Sequence, residues 1–299
     1  MRNAVPLSAP VIYSPAQRCL DVLELLADAP AGLALSVVAT RLELPKSATH
    51  RFLAILAGRG FVRQDAASGH YALTLKLPAL GFRFLSGHAM PQLAQPALDG
   101  LALRTGELAR LAMVEDDTLT WVALAQGASS GLRYDADAGR AVILHATATG
   151  KAWLATLDEA RAIALVEREG RIGTPGFGPR AVTTMAALKR ELRVTRKRGW
   201  GEALEEGEPG VAAIAVVLRP RGDATAPACA TLSIAGPLAR LDASRRAAIA
   251  RETLAAAREI EDLWPLRAQP ARNGPPRARG PLGGGAHSAP RGEEPARAA

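Results

Sequence analysis

The chain has 299 residues, 48% of them hydrophobic, and a formal net charge of +8, which suits two ordinary domains with filled cores better than one large one. Its longest apolar runs, such as Val211 to Leu218, fall far short of the roughly 20 residues a membrane-spanning helix needs, and the N-terminus lacks the apolar block of a secretory signal. A cytoplasmic protein without a membrane partner is therefore expected, and its two cysteines, Cys19 and Cys229, read as small core residues rather than a disulfide or a metal site.

The first helix is expected from Pro15 to Asp28, where Cys19, Leu20, Leu23, Leu26 and Ala27 recur at three- and four-residue steps. Ala29-Pro30-Ala31-Gly32 breaks it. A second, short helix runs through Leu42, with Ser36 as its cap. Glu43, Leu44 and Pro45 separate it from a third helix that runs to about Ala57, with Gly58 or Gly60 to stop it. Phe61 to Arg63 and His70 to Leu73 then read as two short strands around a turn. Three helices followed by a hairpin make a winged helix-turn-helix over residues 13–75, behind a flexible N-terminus at 1–12.

A linker follows at 76–90, with a short helix from Pro78 to Leu85. Residues 91–265 read as a mixed α and β domain. Helices are expected at Leu93 to Thr105, Thr149 to Thr156, Asp158 to Arg168, Met185 to Arg198 and Ser244 to Leu263. Strands are expected at Leu108 to Val114, Leu119 to Ala125, Val211 to Leu218 and Ala228 to Ile234. Residues 266–299, rich in Pro, Gly, Ala and Arg without periodicity, read as a disordered tail. The fold class is α+β.

Charge is unevenly placed. Residues 1–86 and 266–299 each carry a net +4, and 87–265 is neutral. A basic end on a neutral body points toward nucleic acid, although arginine outnumbers lysine 32 to 5, a bias that accounts for the tail. On the third helix Leu44, Ala48, Phe52, Ile55 and Leu56 are expected to pack inward, leaving Lys46, Ser47, His50 and Arg51 on the opposite stripe. In a major groove Lys46 and Arg51 can reach phosphates or guanine, while Ser47, Thr49 and His50 have shorter reach to base edges. Ser36 on the second helix and Arg63 in the wing, flanked by Gln64 and His70, complete the candidate contacts to double-stranded DNA. The competing reading is a solvated helix face or a protein-interaction module.

Residues 13 to about 264 resemble the IclR-type transcription regulators. The resemblance rests on AQRCLDVLELLA, LPKSATHRFLAIL, GFVRQD and YALTLKL. It continues through TGELARLAMV at 105–114, LHATATGKAWLA at 144–155, LRVTRKRGWGEALEEGEPGVAAIAV at 192–216 and LSIAGP at 232–237. It implies a GAF-like effector domain with an antiparallel sheet, a homodimer or pair of dimers on DNA, and a small organic acid as effector. It also implies an effector pocket walled by the loop and helix start His145, Ala146, Thr147, Ala148, Thr149 and Gly150, with Glu206, Ala213, Ser233 and Ala235 across from it. Glu43 stands where the family commonly has glycine, and a left-handed backbone there costs a non-glycine residue about 1 to 2 kcal/mol. Val217 replaces a common proline and Ala235 a frequent serine, which makes the pocket less polar.

Gly150-Lys151 lacks the remaining positions of a phosphate loop: His145 stands where the first glycine belongs and Ala152 where Ser or Thr does, so nucleotide hydrolysis is not expected. Free amides at that helix start are a physical reason to expect an anion. Glu107 and Glu206 could be an acid/base pair, but no nucleophile, metal set or orienting group accompanies them, so no enzyme, metal or cofactor is expected. The run Lys189, Arg190, Arg193, Arg196, Lys197 and Arg198 reads as a solvated helix face rather than a second nucleic-acid site.

Overall fold

The fold begins at a capping box. Ser14 accepts the backbone N–H of Gln17 on its hydroxyl and donates its own N–H to the Gln17 side chain, which sets the start of α1 (Pro15–Ala27). The computed structural model describes residues 14–88, 90–135, 142–220 and 225–263, with the backbone alone at 84–88 and 90. The expected flexible N-terminus and disordered tail lie outside the described residues.

Helices α2 (Leu35–Arg41) and α3 (Lys46–Gly58) and the antiparallel hairpin of β1 (Val62–Gln64) and β2 (Tyr71–Leu73) complete the N-terminal unit. Val22, Leu26, Val38, Leu53, Leu56, Val62 and Tyr71 form its core. Leu33 adds an isolated antiparallel bridge to Tyr71, tying the start of α2 to the wing. Two expectations need correction. Ser36 does not cap α2: Ala34 holds the N-cap position with no side-chain bond, and Ser36 sits exposed in the first turn. On α3 the inward stripe is Thr49, Leu53 and Leu56, and Ile55 is 53% exposed. The helix is thus rotated by about one residue from the expected phase.

The turn between α2 and α3 keeps a left-handed residue: Glu43 has φ 53°. At the wing, Asp65 accepts both the N–H and the hydroxyl of Ser68 at 2.8 Å. These bonds hold its carboxyl below the usual range and close the hairpin turn.

The linker helix α4 (Lys76–His88) is longer than expected and leads to α5 (Met90–Thr105). The second unit is a five-stranded sheet of β3 (Leu108–Glu115), β4 (Thr118–Gln126), β5 (Gly201–Leu204), β6 (Val211–Leu218) and β7 (Ala230–Pro237). The order is β4-β3-β7-β6-β5 and every pairing is antiparallel. Strand β5 was not expected, and β7 starts and ends later than read. Helices α5 and α9 (Ala243–Leu263) cover one face through Leu98, Leu101, Ile249 and Ile260 against Leu111, Ile214 and Leu232. The opposite face carries α6 (Ala148–Leu154), α7 (Glu159–Glu169) and α8 (Met185–Arg198) over Ala112, Leu119, Ala203 and Ala215. A bulge leaves Val122 unpaired between Trp121 and Ala123 of β4, and after a bulge the side-chain phase of the strand reverses.

Candidate nucleic-acid interface and ligand cavity

The outward side of α3 presents Lys46, Ser47, His50 and Arg51, all exposed. They are fixed from behind by Leu53 and Leu56, buried in the core with α1. Thr49, expected among the DNA contacts, belongs to the inner side instead. It is wholly buried and its hydroxyl donates to the Pro45 carbonyl at 3.1 Å, so its side chain cannot reach a base edge without unfolding the helix start. Ile55 takes a place on the outer side that sequence phase did not give it. In the wing, Arg63 is exposed and lies 3.9 Å from Asp65, a contact at the limit of an ion pair.

The second site is a cavity of about 160 Å³ between the sheet and α6. Of the residues expected at an effector pocket, Ala146, Thr147, Ala148, Thr149, Glu206, Ala213 and Ala235 line it. Three expected residues do not. Ser233 is buried within the sheet, one strand position pair from Ala235, with its hydroxyl unpartnered among the described residues. Gly150 packs against the backbone of Leu144, where a Cβ would collide with the carbonyl. His145 lies behind the wall, fully buried and edge-on to Phe177 at 4.9 Å, with Nδ1 3.5 Å from Glu169.

The geometry also explains why glycine and lysine adjoin here. Lys151 is wholly buried and donates to Glu206 Oε1 at 2.7 Å, with Glu191 at 3.5 Å. Burial pushes the Glu206 carboxyl up and Lys151 pulls it back, so the pair fixes the cavity wall by mutual neutralisation. Thr147 caps α6 by accepting the Gly150 N–H at 3.0 Å. One of the free amides at that helix start is therefore already occupied.

Several cavity residues escaped sequence reading: Arg110, Trp121, Tyr134, Val142, Ile143, Ala203, Gly207, Glu208 and Val211. Arg110 stands on β3, and its guanidinium lies 4.0 Å from the Trp121 ring centre and 5.8 Å from that of Tyr134. Burial pulls its pKa below the ordinary arginine value, opposed by Tyr134 and Glu208. Tyr134 donates its hydroxyl to Glu208 at 3.0 Å. A signal existed: Arg110 shares its strand phase with Leu108 and Ala112, both buried, so it had to point inward.

The two carboxylates weighed as a catalytic pair are engaged separately. Glu107, 1% exposed, receives two hydrogen bonds from Arg240 at 2.8 and 2.7 Å and does not line the cavity. Four of the six cations in the basic run on α8 make local contacts, and Arg190 and Lys197 are exposed. Lys189 and Arg193 face Glu159, Arg196 donates to the carbonyls of Ala155 and Leu157, and Arg198 pairs with Glu202 and covers the Trp200 ring. Neither cysteine is in a disulfide, and burial raises the Cys229 thiol to about 12, far from reactive. No described helix is long and apolar enough to cross a membrane.

A winged helix-turn-helix followed by a separate sheet domain with an internal ligand-sized cavity defines a one-component transcription regulator. The chain belongs to the IclR family. Residues 15–66 match the IclR helix-turn-helix domain, and residues 82–262 match the bacterial transcriptional regulator IclR C-terminal domain. It is 30% identical over 244 residues to the transcriptional repressor IclR of Escherichia coli, covering 81% of this chain and 87% of that one. Among solved structures it is similar to an IclR-type regulator from Alicyclobacillus acidocaldarius, with 23% identity, TM-score 0.71 and coverage of 84% and 100%. It is also similar to an IclR homologue from Microbacterium hydrocarbonoxydans complexed with 4-hydroxybenzoate, with 24% identity, TM-score 0.69 and coverage of 85% and 100%. The protein is thus a regulator with a DNA-binding domain and an effector-binding domain.

Proposed function

We propose that the chain acts in the cytoplasm as a homodimer, or a pair of dimers, whose α3 helices enter successive major grooves of double-stranded DNA. A small carboxylate in the cavity shifts the balance between DNA-competent and incompetent arrangements. The observation that carries the reading is the two-sided character of α3: a polar, cationic outer stripe held rigid by Leu53 and Leu56 beneath it. Lys46 and Arg51 supply charge, Ser47 and His50 reach base edges, and Ile55 can meet thymine methyl groups. Ser36 and Arg63, also exposed, contact the backbone.

The C-terminal domain senses rather than catalyses on this reading, since Glu107 and Glu206 each hold a structural cation. A ligand moves the equilibrium only through unequal affinity for the two arrangements. A cavity near 150 Å³ accommodates a benzene-sized molecule, so a one-ring or short-chain acid fits, and 4-hydroxybenzoate is a reasonable first probe. The reading is tested by Arg51→Ala in a gel-shift titration on DNA selected with the wild-type protein. Weaker binding by roughly 10-fold or more, with an unchanged melting temperature, is expected from loss of one charged contact. Undiminished affinity removes Arg51 from the interface.

A further inference from the structure

Resting on the acid-sensing reading above, we infer that Arg110, rather than the start of α6, is the group that recognises the effector's carboxylate and rejects its neutral analogues. Among the described residues two cations stand at the cavity or its wall, and their situations differ. Lys151 is sealed from solvent and neutralised by Glu206 at 2.7 Å. Arg110 lines the cavity, its Nε is buried without a hydrogen-bond partner, and no carboxylate lies within 4 Å of it among the described residues. An arginine does not shed its proton to escape such a place. It remains a half-buried cation, opposed by Glu208 only at a distance, and the uncompensated part of its burial is a cost that an entering anion relieves.

Geometry narrows the class of anion. The Trp121 ring covers one region of the guanidinium at 4.0 Å and Tyr134 approaches at 5.8 Å. The guanidinium N–H groups not engaged by Trp121 or Tyr134 remain for hydrogen bonding, and a planar carboxylate matches them with two parallel N–H···O bonds. The remaining wall near Val142, Ile143 and Ala213 is apolar and receives the carbon skeleton. At the helix start, by contrast, Thr147 already accepts the Gly150 amide.

The test uses isothermal calorimetry on the full-length dimer with benzoate, 4-hydroxybenzoate and the neutral isostere benzamide. For the wild type, acids bind and benzamide binds roughly 10- to 150-fold more weakly, the span expected for a hydrogen bond to a charged group. Arg110→Gln keeps a polar side chain but removes the charge; it loses acid affinity by a similar factor and binds acid and amide alike. Arg110→Lys retains a preference for acids, which separates loss of charge from damage to the fold. Equal acid binding by wild type and Arg110→Gln overturns the role of Arg110 while leaving acid sensing intact. Wild-type protein that binds none of the acids overturns both, and wild-type protein that binds benzamide as tightly as benzoate overturns the charge requirement without recourse to any variant.

Discussion

Glu43 and Glu205 carry nearly the same backbone, with φ of 53° and 51°, but in different circumstances. Glu205 is compensated: its side chain accepts the Gly210 N–H at 3.1 Å, its N–H donates to Val211, and its carbonyl receives Arg180. That turn delivers the next residue, Glu206, to the cavity wall. The Glu43 side chain is exposed, without a bonded partner among the described residues, so the left-handed turn before α3 is held by the packing of α2 and α3 and by two backbone bonds, Glu43 N–H to Thr40 at 3.3 Å and Leu44 N–H to Ala39 at 2.9 Å. Relief there should be visible as stability. Glu43→Gly is expected to raise unfolding free energy by about 0.5–1 kcal/mol, the left-handed penalty less the extra freedom glycine has when unfolded. Urea denaturation of the two proteins measures it, and an unchanged or lowered midpoint contradicts the assignment of strain. The same residue shows what a sequence can tell: the departure from glycine located the strain before any coordinates did, but not whether the turn would be reshaped or would bear it. Arg110 marks the opposite case. Its strand was legible and its inward phase was available from Leu108 and Ala112, yet nothing local says that a cavity rather than a helix lies over that face.

At the scale of elements, what was legible had its own local punctuation. Helix α8 spans the residues expected of it because Thr184 caps its start and Gly199, at φ 84°, ends it. Strand β5 was missed because four residues beginning with glycine give no alternation long enough to count, and its pairing with β6 is a long-range fact. The rotation of α3 has a similar source. Ala48, Thr49, Phe52 and Leu53 allow two inner stripes of similar apolarity, and the choice is made by contact with α1 and α2. Helix α6 is the element on which the cavity depends most. Each of its seven residues is buried, and it packs on both Leu144 and Gly201 through contacts that tolerate no Cβ at Gly150 or Gly201. Gly150→Ala favours helix by propensity yet drives a methyl into a backbone carbonyl. Overpacking of that kind costs about 1–3 kcal/mol. The expected outcome is a lower melting temperature together with weakened effector binding, because the displaced helix carries Ala148 and Thr149 of the cavity wall. A neutral or stabilising result in differential scanning calorimetry, with effector affinity intact, contradicts this account of α6.

For the molecule as a whole, the order of strands turns on the pairing of β3 with β7, residues more than 100 apart such as Leu108 and Ala235, which local patterns do not encode. Surface chemistry is easier to interpret. The start of the linker helix α4 is exposed on nearly every side, and Leu75 and Leu80 retain 82% and 41% of their surface. A helix that short, with few tertiary contacts, is marginal in water, and apolar side chains gathered at such a place mark an interface. A second copy of the chain is the occupant that fits the proposed function, because pairing at the linker would set two α3 helices at a fixed spacing for two half-sites of DNA. Leu75 and Leu80 belong to neither the α3 stripe nor the cavity lining, so replacing both with glutamate tests assembly while leaving the residues of both sites in place. Analytical ultracentrifugation at micromolar protein should then show a monomer where the wild type sediments as a dimer or larger. Gel shifts on a two-half-site DNA should weaken by orders of magnitude as the advantage of tethered binding is lost, while calorimetry still registers effector binding in the isolated monomer. A double variant that keeps both its mass and its DNA affinity would place the subunit contact elsewhere on the surface.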